Sequence, residues 1–154
     1  MSGEVESVSP ASVERAFVRF AEEMVREGFV ADFSVETQDL VRLKLRRSDD
    51  DAPVTLSMTG SGEVFLLNLA DAYDTQRAAY DDPDKWDALK ELLLIAKGFL
   101  SGEYEEELHE RRGKVIGRLI RFPEPTDTSL STPRGLRGLF QRLVGYETKS
   151  THSR

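Results

Sequence analysis

Apolar side chains recur at helical spacing near the start of the chain. Val13, Ala16, Phe17, Phe20, Met24 and Val25 gather on one side, and Glu14, Arg15, Arg19, Glu22, Glu23 and Arg26 on the other. That stripe predicts an amphipathic helix with its apolar face on a core. Ser9-Pro10 supplies a hydroxyl N-cap followed by proline at the first helical position, and Gly28 can end the helix in a left-handed cap.

The period then changes from helical to alternating. Phe29, Ala31, Phe33 and Val35 share one face of a strand, and Val41, Leu43 and Leu45 share a face of the next, opposite Arg42, Lys44 and Arg46. Ser48-Asp49-Asp50-Asp51 reads as a turn, and Pro53 marks the entry of a third strand with Val54, Leu56 and Met58 on one face and Thr55, Ser57 and Thr59 on the other. Gly60-Ser61-Gly62 closes a hairpin into Glu63 to Leu69, whose nearly continuous apolar run predicts a strand buried on both faces. The result is an antiparallel meander with one face on the first helix.

Asp71 to Asp82 reads as a polar connection bearing aromatic residues. Asp82-Pro83 repeats the cap-then-proline start, and Trp86, Leu89, Leu92, Leu93, Ile95, Ala96, Phe99 and Leu100 form a wide stripe on a second helix, with Trp86 in the core. Between Gly102 and Phe122 two readings compete. Glu107–Arg111 and Glu110–Lys114 have the spacing of helical ion pairs, whereas a hairpin about Arg112-Gly113 would pair 103–111 with 114–122. The β-branched residues and internal Gly117 of the second half favour the hairpin.

The expected fold is thus α+β: a meander of about four to six antiparallel strands against two main helices, with a short C-terminal amphipathic helix. Residues 1–122 form the compact body, 123–133 a flexible Pro/Thr/Ser-rich linker, 134–146 the last helix and 147–154 a disordered tail. In that helix Leu136, Leu139, Phe140, Leu143 and Val144 stack on one face, and Arg134, Arg137 and Arg142 are its only charges. Gly135 and Gly138 weaken it by about 1 kcal/mol each relative to Ala, so it is expected to order on docking. The docking options are a partner groove, the chain's own body or, more weakly, an anionic membrane surface.

Charge sharpens this picture. The 154 residues carry a formal net charge of −7. Residues 123–154 hold five Lys/Arg against three Asp/Glu, so the body holds 16 against 25, a balance of −9. An acidic body repels phosphate backbones, which sets nucleic acid aside and favours a protein partner, preferably a basic one. The chain has no cysteine, which excludes a disulfide framework, a thiol nucleophile and Cys-ligated metal centres. Its first residues lack a basic-then-apolar signal pattern, and its longest apolar run, Leu92 to Ala96, is far below the ~18 residues of a spanning helix. A cytoplasmic protein is expected.

Candidate chemistry is sparse. The two histidines, His109 and His152, lack companions at metal-ligand spacing, and no Gly-x-Ser-x-Gly elbow offers a nucleophile. Thr59-Gly60-Ser61-Gly62 lacks the ending of a phosphate loop, and the acidic runs lack the calcium-loop pattern. In the strand reading, Glu105 and Glu107 share a face with His109 and Arg111, but no second group fixes an acid–base geometry. No catalytic residue, metal or cofactor is therefore assigned. Asp49, Asp50, Asp51, Asp81, Asp82, Asp84, Glu105 and Glu107 are the candidate acidic contacts for a partner. The tail residues Leu136, Leu139, Phe140, Leu143, Arg134, Arg137 and Arg142 are the candidate docking element. Arg42, Lys44 and Arg46 make a cationic sheet face beside hydroxyls, a candidate anion site and the alternative basis for a ligand-binding protein or enzyme.

In size, charge and architecture the chain is similar to bacterial toxin-immunity proteins and to secretion chaperones or adaptors. The likeness rests on that profile and on no motif. It implies a non-catalytic module that offers an acidic surface to its partner and gains association rate by electrostatic steering.

Overall fold

A computed structural model describes residues 3–50, 52–59, 62–132 and 147–152, the last of these through its backbone. The fold is α+β, with two helices and antiparallel sheets. The expected helix over 134–146 and Asp51 lie outside the described residues. The chain divides into two compact units at Leu100/Ser101.

In the first unit, helix α1 (Pro10–Arg26) starts as the sequence implies. The Ser9 Oγ accepts from Ser12 N at 3.2 Å, and Ser9 N donates back to Ser12 Oγ at 2.8 Å, a reciprocal cap. At the other end Gly28 takes φ +82, and Phe29 N donates to Met24 O at 3.0 Å. An added Cβ there would be strained, so glycine is the fitting residue. Val13, Phe17, Phe20 and Met24 are buried, but Val25 stays exposed because it falls at the rim of the apolar stripe.

Five strands follow in sequence order, β1 (Val30–Glu36), β2 (Val41–Arg47), β3 (Pro53–Met58), β4 (Val64–Leu69) and β5 (Tyr73–Ala78), each antiparallel to the next. Three details differ from the sequence reading. In β1 the register shifts between Val30 and Asp32, so Ala31 bulges outward and Val30 takes the buried place expected of Ala31. Strand β4 is interior to the sheet but covered on one side only, so Leu66 remains 38% exposed while Phe65, Leu67 and Leu69 are buried. The segment expected as a polar connection contains β5. Its turn places Ala70 and Asp71 at φ 56 and 55, and Asp71 N is held by Asn68 Oδ1 at 3.0 Å.

Helix α2 (Asp82–Ser101) returns over the same sheet face as α1. Arg77 of β5 donates from Nε to Glu91 Oε2 at 3.0 Å, and the Arg47 guanidinium lies 4.8 Å from the Phe99 ring centre. Lys97 joins the two helices through Glu23 at 3.4 Å. The helix cap is Asp81 rather than Asp82: its Oδ1 accepts from Asp84 N at 3.0 Å. Asp82 is then free to accept from Val8 N at 3.1 Å. Trp86, expected in the core, is only half-buried, because its indole turns to the N-terminal segment and donates to Glu6 O at 2.6 Å. Beneath the helices lie Leu43, Leu45, Val54, Leu56, Leu67, Leu69 and Tyr73, each at most 2% exposed.

The second unit is built on the hairpin of β6 (Glu105–Arg111) and β7 (Lys114–Phe122), the preferred of the two readings. Arg112 and Gly113 take φ 51 and 76, the paired left-handed conformation of a tight hairpin turn. Gly117 pairs with His109 across the hairpin, so β7 places no side chain beside the imidazole. Two further strands extend this sheet where a linker and a disordered tail were expected. β8 (Thr128–Thr132) pairs with β7, and the backbone of β9 (Glu147–His152) pairs with β6. Thr and Ser suit an edge strand as well as a loop, which is why polarity alone did not separate the two.

Candidate functional site

Alternation in β2 fixes the site. Leu43 and Leu45 are fully buried under the helices, so Arg42, Lys44 and Arg46 must leave the opposite face of the sheet. The register then assigns their neighbours. Arg42 stands between Glu36 and Ser57, Lys44 between Ser34 and Thr55, and Arg46 between Asp32 and Pro53. The row through Lys44 runs on across Asn68 to Asp74. Both helices cover the other face, so this one carries a groove of about 480 Å³, lined by Glu36, Arg42, Lys44, Thr55, Ser57, Leu66, Asn68, Asp71 and Asp74 among others.

The cations are not equivalent. Arg46 Nε donates to Asp32 Oδ2 at 3.0 Å, and this guanidinium holds the Asp32 carboxyl below the usual carboxylate range. Arg42 meets Glu36 at 3.6 Å. Exposed pairs of this kind contribute little to stability because solvent screens them, but they neutralise two of the three cations. The Lys44 side chain makes no ion pair or hydrogen bond among the described residues. Three strand spacings away, about 14 Å, Asp74 accepts from Asn68 Nδ2, while the other Asn68 amide atom holds the Asp71 backbone. The groove is therefore cationic at β2 and anionic at β5, with hydroxyls and the exposed Leu66 between.

The candidate acidic contacts fall on separate elements, and most have an intramolecular role. Asp49 and Asp50 reach Arg47, which is 7% exposed, at 3.1 and 3.7 Å. Asp81 and Asp82 cap α2 and anchor Val8, whereas Asp84 is exposed in the first turn of α2. On β6 the Glu107 carboxylate lies 3.2 Å from Arg121 and 3.0 Å from His109 Nε2, one oxygen to each. Glu105 pairs across the strands with Arg121, and its side chain is exposed. With both Glu107 oxygens engaged, the Glu105–Glu107–His109 row is a cross-strand network rather than an open acid–base pair. The seven tail residues, from Arg134 to Leu143, lie outside the described residues.

Among the described residues, no group of three His, Cys, Asp or Glu side chains converges on a metal position, and no helix is long and apolar enough to cross a membrane. No protein-family model, curated protein sequence or solved structure matches the chain.

What sequence reasoning missed at this site is its acidic end. Asp71 lies in the turn before β5 and Asp74 within that strand, and the turn carries no glycine or proline, so nothing in the local pattern announces that they face Lys44 across a sheet.

Proposed function

We propose that this chain is a non-catalytic protein-binding module, comparable in role to immunity proteins and secretion chaperones or adaptors, that docks its partner on the uncovered face of the first sheet. One observation carries the reading. Lys44 and Asp74 are the two charges of a single cross-strand row, with Thr55 and Asn68 between them and Leu66 on the adjoining row. Opposite charges about 14 Å apart exceed the ~8 Å screening length of physiological salt, so they act as two contacts rather than one neutral pair. A ligand that satisfies both must be larger than a simple anion. A protein surface with a carboxylate and a cation at that spacing does so, with an apolar side chain over Leu66.

The acidic body, at −9, adds long-range attraction for a basic partner and raises the association rate more than the affinity. The amphipathic pattern of residues 134–146 supplies a second docking element in this reading. The alternative, a small anionic ligand centred on Lys44, is favoured by that lysine's lack of an ion pair among the described residues, but leaves Asp71 and Asp74 without a role.

The test is affinity capture from the native host with the full chain, with Lys44→Glu plus Leu66→Asp, and with Leu139→Asp plus Phe140→Asp. A protein captured by the wild type and lost with the sheet-face variant, at unchanged circular dichroism, supports the reading. Capture that survives the sheet-face variant and disappears with the tail variant moves the function to the tail.

A further inference from the structure

The N-terminal segment ahead of α1 has no regular structure, yet its backbone is gripped by side chains far away in sequence. The Trp86 indole donates to Glu6 O at 2.6 Å, and Asp82 Oδ1 accepts from Val8 N at 3.1 Å. Ser12 Oγ donates to Ser7 O at 2.9 Å, and the Arg15 guanidinium takes the Glu6 carboxylate. Three consecutive residues are thus read through main-chain groups and one through its charge, which is how a folded domain reads an extended peptide.

Beside this strap a cleft of about 380 Å³ stays open between the helices, and Arg19, Lys90 and the apolar side of Trp86 line it opposite Val5. Neither Arg19 nor Lys90 makes an ion pair among the described residues, and Asp87 is the one carboxylate on the helical walls. With Arg15 counted, the helical walls present three cations to one anion. The strap's own charges match that excess, since Glu4 and Glu6 are both acidic.

We propose that the open cleft between α1 and α2, continuous with the groups that hold the strap, is a binding site for an extended acidic peptide segment of a partner protein, and that residues 4–8 take the strap side of this site in cis. The strap is then a tethered competitor. A short tether holds its ligand at an effective concentration of about a millimolar, so a free peptide must work against that. Releasing the strap should tighten binding of a peptide in trans by at least about tenfold.

Trp86 is the single tryptophan and reports on the site directly. The experiment titrates the full-length wild type and a Glu6→Arg variant with a synthetic peptide of residues 3–9, following tryptophan emission. Glu6 is 60% exposed at its side chain, so the change places a repelled cation beside Arg15 without disturbing the core. Expected results are a red-shifted emission in Glu6→Arg, return to the wild-type spectrum on adding peptide, and an apparent Kd at least tenfold below that of the wild type. Adding Arg19→Glu and Lys90→Glu to the released variant should abolish the binding. A wild-type spectrum with no peptide binding in Glu6→Arg overturns the proposal. So does equal binding by wild type and variant, or binding that survives the double charge reversal. A loss of helix content in Glu6→Arg also overturns it, because the strap would then be a structural part rather than a ligand.

Discussion

Replacing Arg47 separates two roles that its surroundings combine. Its side chain is 7% exposed, its guanidinium lies 4.8 Å from the Phe99 ring centre, and Asp49 and Asp50 approach at 3.1 and 3.7 Å. The two carboxylates are themselves 68% and 49% exposed, so solvent screens them and each pair contributes at most about 1 kcal/mol. Against that stands the cost of removing a guanidinium from water. The packed stem counts for more: Arg47→Ala deletes two further methylenes, about 0.8 kcal/mol each, and the cation–π contact, about 1 kcal/mol. Arg47→Ala should therefore cost about 2 to 3 kcal/mol. Arg47→Met keeps a flexible apolar stem against Phe99 and should lie within about 1 kcal/mol of wild type. Urea unfolding followed by circular dichroism measures both, with an unchanged m-value as the condition for comparison. If Arg47→Met is as destabilising as Arg47→Ala, the charge rather than the stem holds this corner, and the reasoning fails. The outcome bears on function, because the Asp49-Asp50 run is then a scaffold for Arg47 more than a docking patch.

The turn before β5 makes an opposite prediction. Ala70 sits at φ 56, where a Cβ is unfavourable, so Ala70→Gly should stabilise the protein by about 1 kcal/mol, read as a higher urea midpoint; a lower midpoint contradicts it. At Gly28, φ +82, the converse holds, and Gly28→Ala should lower stability by about 1 kcal/mol in the same assay. For pH, Arg46 depresses the Asp32 carboxyl, so the pair's contribution is complete above the ordinary carboxylate value and is lost as pH falls through the lower folded value. Carboxyl NMR titration should show Asp32 returning to the ordinary range in Arg46→Gln, and an unmoved titration would refute the assignment.

How much of the fold is legible in the sequence depends on whether an element announces its own ends. Helix α1 did so, because Ser9-Pro10 and Gly28 each have one local task and perform it. The Arg112-Gly113 hairpin did so through its glycine and the β-branched residues after it. Strand β5 did not: its turn is Ala70-Asp71-Ala72, with left-handed residues that local propensity argues against, and tertiary pairing with β4 overrides that preference. Ala31 misled in another way, since a one-residue bulge reverses every facing assignment before it. Trp86 departs from its expected place in the core because periodicity reports which face a residue occupies, not whether an irregular segment covers it. At the candidate site the cationic half was legible from the alternation of β2. Its acidic half required knowing that β4 and β5 follow in the same sheet.

The most direct test of the central claim is a photo-crosslinking amino acid placed at position 66 of the full-length chain in its native host, compared with the same group at Glu22 on the exposed side of α1. The account predicts a discrete protein adduct from position 66 that is absent from position 22 and is lost when Lys44→Glu is added. An adduct from position 22 with none from position 66, or one from position 66 unaffected by Lys44→Glu, would contradict docking on the open sheet face.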